Sequence, residues 1–244
     1  MSVIRVLING SKGRMGQESI KAVSADAKLD LVAQTDLNDN LAQIIKQSKA
    51  QVVLDFTTAA VAMEISTEII QSGARPVIGT SGLLPEQVAK LKNLCEKQNL
   101  GGVIAPNFAI GAVLMMKYSQ DAAKYFPHAE IIELHHNGKI DAPSGTAIKT
   151  ANLIAGEIDS VNQKISEKEI LPGARGASAE EIRIHSIRLP GLVAHQEVLF
   201  GGQSQTLTIR HDSTHRDSFM PGVCLACKKV MELNELVYGL ENLL

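Results

Sequence analysis

The stretch IRVLINGSKGRMG, which runs from Ile4 to Gly16, decides the fold. Its apolar run is followed by glycines at intervals of three, Gly10, Gly13 and Gly16, and helical spacing begins at Met15. A strand, a glycine turn and a helix in this order are typical of dinucleotide binding, because the backbone approaches a pyrophosphate and the helix N-terminus offers it N–H groups. The residues of this turn that we expect to contact the dinucleotide are Gly10, Ser11, Lys12, Gly13, Arg14 and Met15.

The glycine spacing leaves an alternative open, since it differs from the commonest G-x-G-x-x-G pattern. The alternative is a tight turn whose glycines serve geometry alone. The position of the turn directly after the first strand favours cofactor binding instead. Asp36 ends the second apolar run, twenty residues after Gly16. A carboxylate there accepts hydrogen bonds from ribose hydroxyls and repels a 2'-phosphate, which favours NAD over NADP.

Neighbouring side chains modify this cofactor preference. Leu37 brings no compensating charge, whereas Lys12 and Arg14 in the turn partly offset the repulsion of a 2'-phosphate. NADP is therefore a weaker candidate than NAD but stays a candidate. A solvated residue at a strand end, without any ligand, is the alternative for Asp36.

The first hundred residues alternate strand and helix patterns, which predicts a doubly wound parallel sheet. Apolar runs cover residues 4–8, 29–33, 52–56, 77–78 and 103–105, and helical spacing covers 15–23, 41–47, 59–71 and 85–98. Polar clusters follow two predicted strands, Gly79-Thr80-Ser81 and Ala105-Pro106-Asn107-Phe108. Open α/β sheets bind ligands at such strand ends, so we expect both clusters at the nicotinamide end; ordinary turn chemistry is the alternative.

The second half of the chain predicts an α+β domain. Helical spacing over 110–125 is followed by an apolar run at 129–134, a helix opening at Ser144, and alternating runs at 182–187, 192–200 and 206–210 that predict antiparallel strands. The polar stretch 157–181 predicts a mobile loop. The expected boundaries are 1–106 for a dinucleotide-binding domain, completed by a C-terminal helix at 217–244, and 107–216 for a second domain.

The segment from Glu133 to Ala147, ELHHNGKIDAPSGTA, is the richest in chemistry. Adjacent histidines at a strand end point to opposite sides, which suits them poorly to one metal ion and better to separate roles. A histidine exchanges protons near neutral pH, and Lys139 adds a positive charge or a second proton donor. Ser144, Gly145 and Thr146 at a helix N-terminus offer hydroxyl and N–H groups to a carboxylate or phosphate. A capped helix with surface histidines is the alternative.

The composition excludes several classes of partner. A net charge of -2 with 20% charged residues argues against electrostatic capture of nucleic acid. The apolar run at the N-terminus is too short for a signal segment or a membrane span, and three cysteines fit a reducing compartment, so we expect a cytoplasmic protein. Cys224 and Cys227 lie in a helical apolar stretch without a second ligand pair, which favours core packing over a metal site.

Taken together, these motifs resemble the 4-hydroxy-tetrahydrodipicolinate (dihydrodipicolinate) reductase family of bacterial diaminopimelate and lysine biosynthesis. The resemblance covers essentially the whole chain, including Asp55-Phe56-Thr57, Gly79-Thr80-Ser81-Gly82 and Gly191-Leu192-Val193-Ala194-His195. The most specific part runs from His135-His136 to Ala142-Pro143-Ser144-Gly145-Thr146. The resemblance implies a Rossmann-like domain that binds NADH or NADPH and an α+β domain that binds a small dicarboxylate and builds a homotetramer.

The family resemblance also implies roles for single residues. His135 would be the proton donor or acceptor and Lys139 a second proton donor, while His136, Ser144, Gly145 and Thr146 would hold the substrate carboxylates. Many members place an arginine after the acidic residue to take the NADP phosphate, and Leu37 departs from that pattern. Another two-domain imine or amino-acid dehydrogenase and a cofactor sensor without catalysis remain as alternatives.

Overall fold

The computed structural model describes residues 3–80, 82–158 and 168–244. The chain forms two compact units. Unit 1 comprises Met1–Ile110 and Arg216–Leu244, and unit 2 comprises Gly111–His215.

Unit 1 is built on a six-stranded sheet with the strand order β11-β5-β4-β3-β1-β2, in which neighbouring strands are parallel. Its strands and helices are β1 (Ile4–Asn9), α1 (Arg14–Ala25), β2 (Leu29–Thr35), α2 (Leu41–Ser48), β3 (Val52–Asp55), α3 (Ala62–Gln71), β4 (Arg75–Ile78), α4 (Pro85–Gln98), β5 (Gly102–Ile104), α7 (Met220–Lys229) and β11 (Leu236–Tyr238). This arrangement confirms the predicted Rossmann-like sheet.

The inner strands of this sheet are apolar throughout because both of their faces are buried. Val6, Leu7 and Ile8 of β1 and Val53 and Leu54 of β3 have no exposed surface. Helices on both faces of a parallel sheet require such continuous apolar runs, whereas a half-exposed sheet shows alternation. The burial pattern therefore explains why the first hundred residues could be divided correctly into strands and helices.

The prediction of one helix over 217–244 is wrong. Only Met220–Lys229 is α-helical, and a short 3-10 turn then leads to β11, which pairs with β5 at the edge of the sheet. Gly239 has a φ of 93°, which no α-helix contains, and its N–H donates to Ile104 O. Leu236 and Leu240 are buried, so this segment completes the core of unit 1.

The three cysteines pack in the core of unit 1, as predicted for Cys224 and Cys227. Cys95 lies in α4, Cys224 and Cys227 lie in α7, and all three are free and buried. Burial raises the pKa of the Cys95 thiol to about 11 and also raises the pKa values of the other two thiols. These thiols are therefore protonated at neutral pH and behave as apolar side chains.

Unit 2 contains a five-stranded mixed sheet with the order β10-β9-β6-β8-β7. Its elements are α5 (Ile110–Ala123), β6 (His128–His135), α6 (Gly145–Ala155), β7 (Ala177–Ala179), β8 (Ile182–Arg188), β9 (Ala194–Gly202) and β10 (Gln205–Ser213). A core of Ile131, Ile154, Ile184, Val198 and Phe200 lies among the sheet, α6 and the end of α5. The predicted α+β architecture is confirmed.

One expectation for this sheet is only partly right. The three late runs were expected to be antiparallel, and β9 pairs antiparallel with β6 and β10, but β8 pairs in parallel with β6 and antiparallel with β7. The chain between β6 and β8 passes through α6 and then β7. Glu180 and Glu181, both with positive φ, form the two-residue turn that reverses the chain from β7 into β8.

In the stretch 157–181, predicted as a mobile loop, the residues near its end are attached to the sheet. Residues 159–167 of that stretch lie outside the described residues. Farther along, β7 pairs antiparallel with β8, and the Arg175 guanidinium binds the Glu130 carboxylate on β6. These contacts attach the second half of the stretch to the sheet.

Candidate functional site

The glycine turn after β1 is as tight as its spacing predicts. Gly10 has a φ of 76°, and a Cβ on Gly16 would lie 2.2 Å from Gly10 O. Gly13 N–H donates to Gly10 O at 3.0 Å, and Gly13 precedes α1 without a side-chain cap from any described residue. The first turn of α1 therefore keeps its N–H groups available for an anion.

A cavity of about 350 Å³ opens beside this turn, at the carboxyl ends of β1, β3 and β4. It is lined by Gly13, Arg14, Met15, Phe56, Thr57, Ala59, Gly79 and Thr80. Five of these were predicted cofactor contacts, since they belong to the glycine turn or to the cluster after β4. Ligands of open α/β sheets bind at this edge.

Asp36 lies directly after β2 and is bonded to the glycine turn. Its carboxylate accepts the Lys12 N–H at 2.9 Å and the Leu37 N–H at 2.9 Å. The bond from Lys12 is the main reason that the pKa of Asp36 is below its ordinary value. Each carboxylate oxygen has a further lone pair, so Asp36 holds the turn and can still accept ribose hydroxyls.

Below the cavity, a buried polar network joins the ends of four strands. The Asp55 carboxylate accepts hydrogen bonds from Asn9 Nδ2 at 2.8 Å, Thr57 Oγ1 at 2.9 Å and Thr80 Oγ1 at 3.2 Å. Asn9 Oδ1 in turn accepts from Thr35 Oγ1 at 2.8 Å. Burial raises the pKa of Asp55 despite these hydrogen bonds. The network fixes the floor beneath the cavity.

Six predicted cofactor residues remain to be described, and their surroundings differ. Ser81 lies outside the described residues, and Ser11 is buried in the turn. Ala105 continues β5, with its N–H donating to Ile78 O, and Asn107 Oδ1 accepts from Ala109 N–H. Phe108 is buried and packs edge-to-face on Phe56, which lines the cavity. Pro106 is exposed.

These observations fit a nicotinamide dinucleotide in unit 1. A Cβ at position 16 would fill the space where the turn approaches the helix, and the uncapped N-terminus of α1 matches a pyrophosphate. Asp36 stands at the end of the second strand, where a ribose is bound in such folds. Gly10, Gly13 and Asp36 would hold the cofactor at its pyrophosphate and ribose.

In unit 2, two of the predicted site residues, His135 and Ser144, bind a carboxylate to which no role was assigned from the sequence. Glu133 of β6 has no exposed surface, and its Oε2 lies 2.5 Å from Nδ1 of His135, the last residue of that strand. Arg188 of β8 donates Nη1 to Oε2 at 2.9 Å and Nη2 to Oε1 at 2.8 Å. The carboxylate is therefore held by a bidentate ion pair and an imidazole.

The same arginine extends to the loop that carries Lys139. Arg188 Nη2 also donates to Asp141 O at 2.8 Å, and Lys139 Nζ contacts both carboxylate oxygens of Asp141 at 2.7 Å. The bonds from Lys139 lower the pKa of Asp141. His135 and Lys139, the two predicted proton-transferring residues, are thus tied to one framework.

The predicted carboxylate-binding residues open α6. Ser144 caps the helix by accepting the Ala147 N–H, while its own N–H donates to Glu133 Oε1 at 3.2 Å. Gly145 is exposed, with open space where a Cβ would stand, and Thr146 lies in the first turn. His136 is half-buried and follows His135 directly. Ser144 and Glu133 therefore bring the helix N-terminus to the end of β6.

Metal sites and membrane-spanning helices were also searched for among the described residues. Within residues 3–80, 82–158 and 168–244, no group of three or more His, Cys, Asp or Glu side chains could hold a metal ion. No helix in the described part of the chain has the length and apolar character needed to cross a membrane.

The supporting roles of Glu133, Arg188 and Asp55 were not predicted from the sequence. For Glu133, a usable pattern exists: a carboxylate two residues before a histidine on one strand shares its face. Arg188 meets Glu133 only because β8 pairs with β6, which no local pattern indicates. Asp55 could have been noticed as an acidic residue at the end of a fully apolar strand.

Comparison with known proteins places both units in one family. The models for the N-terminus and the C-terminus of dihydrodipicolinate reductase match residues 4–108 and 111–244. The 4-hydroxy-tetrahydrodipicolinate reductases of Coxiella burnetii and Legionella pneumophila are 54% and 52% identical, over 99% and 98% of this chain and 99% of each relative. The solved dipicolinate-bound dihydrodipicolinate reductase from Paenisporosarcina sp. TG-14 has a TM-score of 0.92 and 48% identity, covering 99% of this chain and all of that one. The chain therefore belongs to the dihydrodipicolinate reductase family.

Proposed function

We propose that the protein reduces 4-hydroxy-tetrahydrodipicolinate to tetrahydrodipicolinate with NADH or NADPH, in diaminopimelate and lysine biosynthesis. The observation that carries the proposal is the grouping of His135, Lys139 and the N-terminus of α6 around the Glu133–Arg188 pair. Family membership supports it, because relatives about half identical over nearly their whole length carry this name.

The proposed chemistry begins with the loss of water from the substrate, which leaves a cyclic conjugated imine with two carboxylates. The glycine turn and Asp36 of unit 1 would hold a dihydronicotinamide cofactor, which would supply a hydride to ring carbon four. His135 or Lys139 provides the proton that the adjacent ring carbon gains, and the balance of charge is then complete. The positive charge of Lys139 and the N–H groups of α6 stabilise the negative charge that develops on the ring and its carboxylates.

Substrate binding is assigned to unit 2. His136, Ser144, Gly145 and Thr146 are the proposed partners of the substrate carboxylates, with Gly145 and Thr146 offering backbone N–H groups in the first turn of α6. The exposure of Gly145 leaves room for an anion at that turn. The Glu133 carboxylate beneath them is occupied by Arg188, so its charge is neutralised locally.

Cofactor binding is assigned to unit 1. The proposed contacts are the glycine turn from Gly10 to Met15, Asp36, Gly79, Thr80, Ser81 and the cluster from Ala105 to Phe108. Asp36 favours NADH because it can accept hydrogen bonds from the ribose hydroxyls of that cofactor. The cations Lys12 and Arg14 can attract the 2'-phosphate of NADPH, so NADPH can also bind. We propose that the enzyme uses both cofactors, because Lys12 and Arg14 can attract a 2'-phosphate although the exposed Leu37 offers it no partner.

The family resemblance also supports an assembly and a setting for the enzyme. We propose a cytoplasmic homotetramer formed through the sheet of unit 2. Sedimentation equilibrium of the purified protein tests the assembly, and a monomer at micromolar concentration would contradict it.

A substrate panel tests the proposed function. The purified protein should oxidise NADH and NADPH in the presence of the product of dihydrodipicolinate synthase, and should leave open-chain 2-oxo acids with ammonium unreduced. Turnover of the oxo acids alone would instead support an amino-acid dehydrogenase. Cofactor binding without turnover on either substrate class would support a sensor.

A further inference from the structure

The carboxylate of Glu133 is the centre of the unit 2 site, although it does not face solvent. It accepts hydrogen bonds from His135, Arg188 and the backbone of Ser144, and its side chain has no exposed surface. A buried carboxylate with so many donors is rigidly placed, because each donor limits the movement of the others. Its position therefore sets the positions of an imidazole and of a helix N-terminus.

The charge state of Glu133 follows from these contacts. Burial alone would raise the pKa of the carboxyl, but the hydrogen bonds from His135, Arg188 and Ser186 outweigh burial and lower the pKa to about 2. The group is therefore ionised throughout the neutral range. An ionised carboxylate accepts hydrogen bonds and donates none.

Because the ionised Glu133 carboxylate can only accept a hydrogen bond, it determines which nitrogen of His135 carries the proton. Nδ1 lies 2.5 Å from Glu133 Oε2, so it must be the donor, and the neutral ring then keeps its lone pair on Nε2. Arg188 neutralises the carboxylate at the same time, so Glu133 remains an acceptor.

We infer that Glu133 is a positioning residue that fixes the His135 proton on Nδ1, so that Nε2 exchanges protons with the substrate, and that also holds the α6 N-terminus. The inference deepens the proposed function and rests on it. Because the Ser144 N–H donates to the same carboxylate, the proton-exchanging ring and the carboxylate-binding helix turn share one anchor. A purely structural ion pair with Arg188 would need no particular tautomer of His135.

The sharpest variant is Glu133→Gln. Ser144 N–H and Arg188 Nη2 both donate to Oε1, so the amide oxygen of the glutamine must take that place. Its NH2 group then stands in the place of Oε2, where it loses the hydrogen bond from Arg188 Nη1 and faces His135 Nδ1. An arginine cannot accept a hydrogen bond but an imidazole can, so Nδ1 becomes the acceptor and the proton moves to Nε2. The variant thus reverses the tautomer with little change in shape.

Glu130→Gln is the matched control. Glu130 lies on the same strand, and its carboxylate likewise accepts from a histidine, with His185 Nε2 at 2.8 Å, and from an arginine, Arg175. None of these residues belongs to the candidate site. The control therefore removes an equivalent interaction without touching His135.

The experiment combines nitrogen NMR of the full-length protein, labelled with 15N in its histidines, with steady-state kinetics. His135→Gln identifies the His135 signals, and the pH is chosen so that this ring is neutral. We expect protonated Nδ1 and bare Nε2 in the wild type, and the reverse in Glu133→Gln. We expect kcat to fall about a hundredfold or more in Glu133→Gln, as for loss of a general acid or base, and to stay near wild type in Glu130→Gln.

Two outcomes would overturn the inference. One is a neutral His135 with its proton on Nε2 in the wild type, a result that does not depend on Glu133→Gln and holds even if that variant fails to fold. The other is a folded Glu133→Gln that keeps kcat within about threefold of wild type. Wild-type protein that lacks turnover would contradict the proposed function instead, while the NMR result would still decide the tautomer.

Discussion

At the scale of single residues, the two units hold their candidate sites by different means. In unit 1 the decisive property is the absence of side chains, because the turn closes only with hydrogen atoms at Gly10 and Gly16. In unit 2 the decisive property is charge, because Glu133, Arg188 and Asp141 hold the reactive side chains in an ion-pair framework. Substitutions in unit 1 should therefore weaken cofactor binding, whereas substitutions in unit 2 should lower turnover.

Gly16→Ala tests the turn in unit 1. The new methyl would lie 2.2 Å from Gly10 O, so either the turn or the start of α1 must move, and NADH affinity should fall at least tenfold, about 1.4 kcal/mol. Gly145→Ala is the control, because it also lies in the first turn of a helix but meets nothing within 4 Å. Fluorescence titration with NADH measures both. Equal affinities in the two variants would contradict the close approach.

Lys139→Ala tests the charge in unit 2. We expect turnover to fall by about 10² to 10⁴, the usual range for a general acid, while NADH affinity stays near wild type because Lys139 lies in unit 2. Lys124→Ala, which removes an exposed ion pair with Asp121, should leave kcat unchanged. A large loss of NADH binding in Lys139→Ala would speak against the assignment.

Leu37→Arg tests cofactor choice. Leu37 is 87% exposed, so an arginine fits there without disturbing the fold and can pair with a 2'-phosphate. The ratio of kcat/KM for NADPH to that for NADH should rise by about tenfold, which corresponds to one charge-assisted hydrogen bond. Leu37→Gln is the uncharged control. An unchanged ratio would mean that Lys12 and Arg14 already set the preference.

At the scale of elements, local pattern was enough where an element is long or buried on both faces. The strands of unit 1 from β1 to β5 and the helices from α1 to α4 appear where apolar periodicity predicts them. β11 was missed because Leu236–Tyr238 is too short to show a period and is a strand only through pairing with β5. The place of β8 beside β6 also depends on a partner far away in sequence.

Leu236→Ala tests the contribution of β11. Leu236 is 4% exposed and packs in the core cluster of unit 1, so its truncation should lower the free energy of unfolding by about 2–5 kcal/mol. Leu244→Ala removes the same atoms from a side chain that is 46% exposed, and should change stability by less than about 0.5 kcal/mol. Urea unfolding followed by circular dichroism measures both. Similar losses would mean that β11 is peripheral to the fold.

At the scale of the whole molecule, the sequence is informative about family and about which residues bear chemistry, and less so about what supports them. The glycine turn and the segment from His135 to Thr146 are continuous in sequence, so the order of their residues alone makes both recognisable. Arg188 and Asp55 bind Glu133 and Asn9, which lie 55 and 46 residues away, and these roles emerge only when the sheets are paired. The chemistry is thus predictable from local sequence, whereas the positioning of the reactive groups depends on distant partners.

The central claim is that this chain transfers a hydride from a nicotinamide cofactor to ring carbon four of the proposed substrate. The most direct measurement supplies NADH carrying deuterium at both positions of carbon four, together with the product of dihydrodipicolinate synthase, and analyses the tetrahydrodipicolinate by mass spectrometry and NMR. We predict one deuterium in each product molecule, at ring carbon four, with one NADH oxidised per product. Product without deuterium, or no NADH oxidation, would contradict the claim.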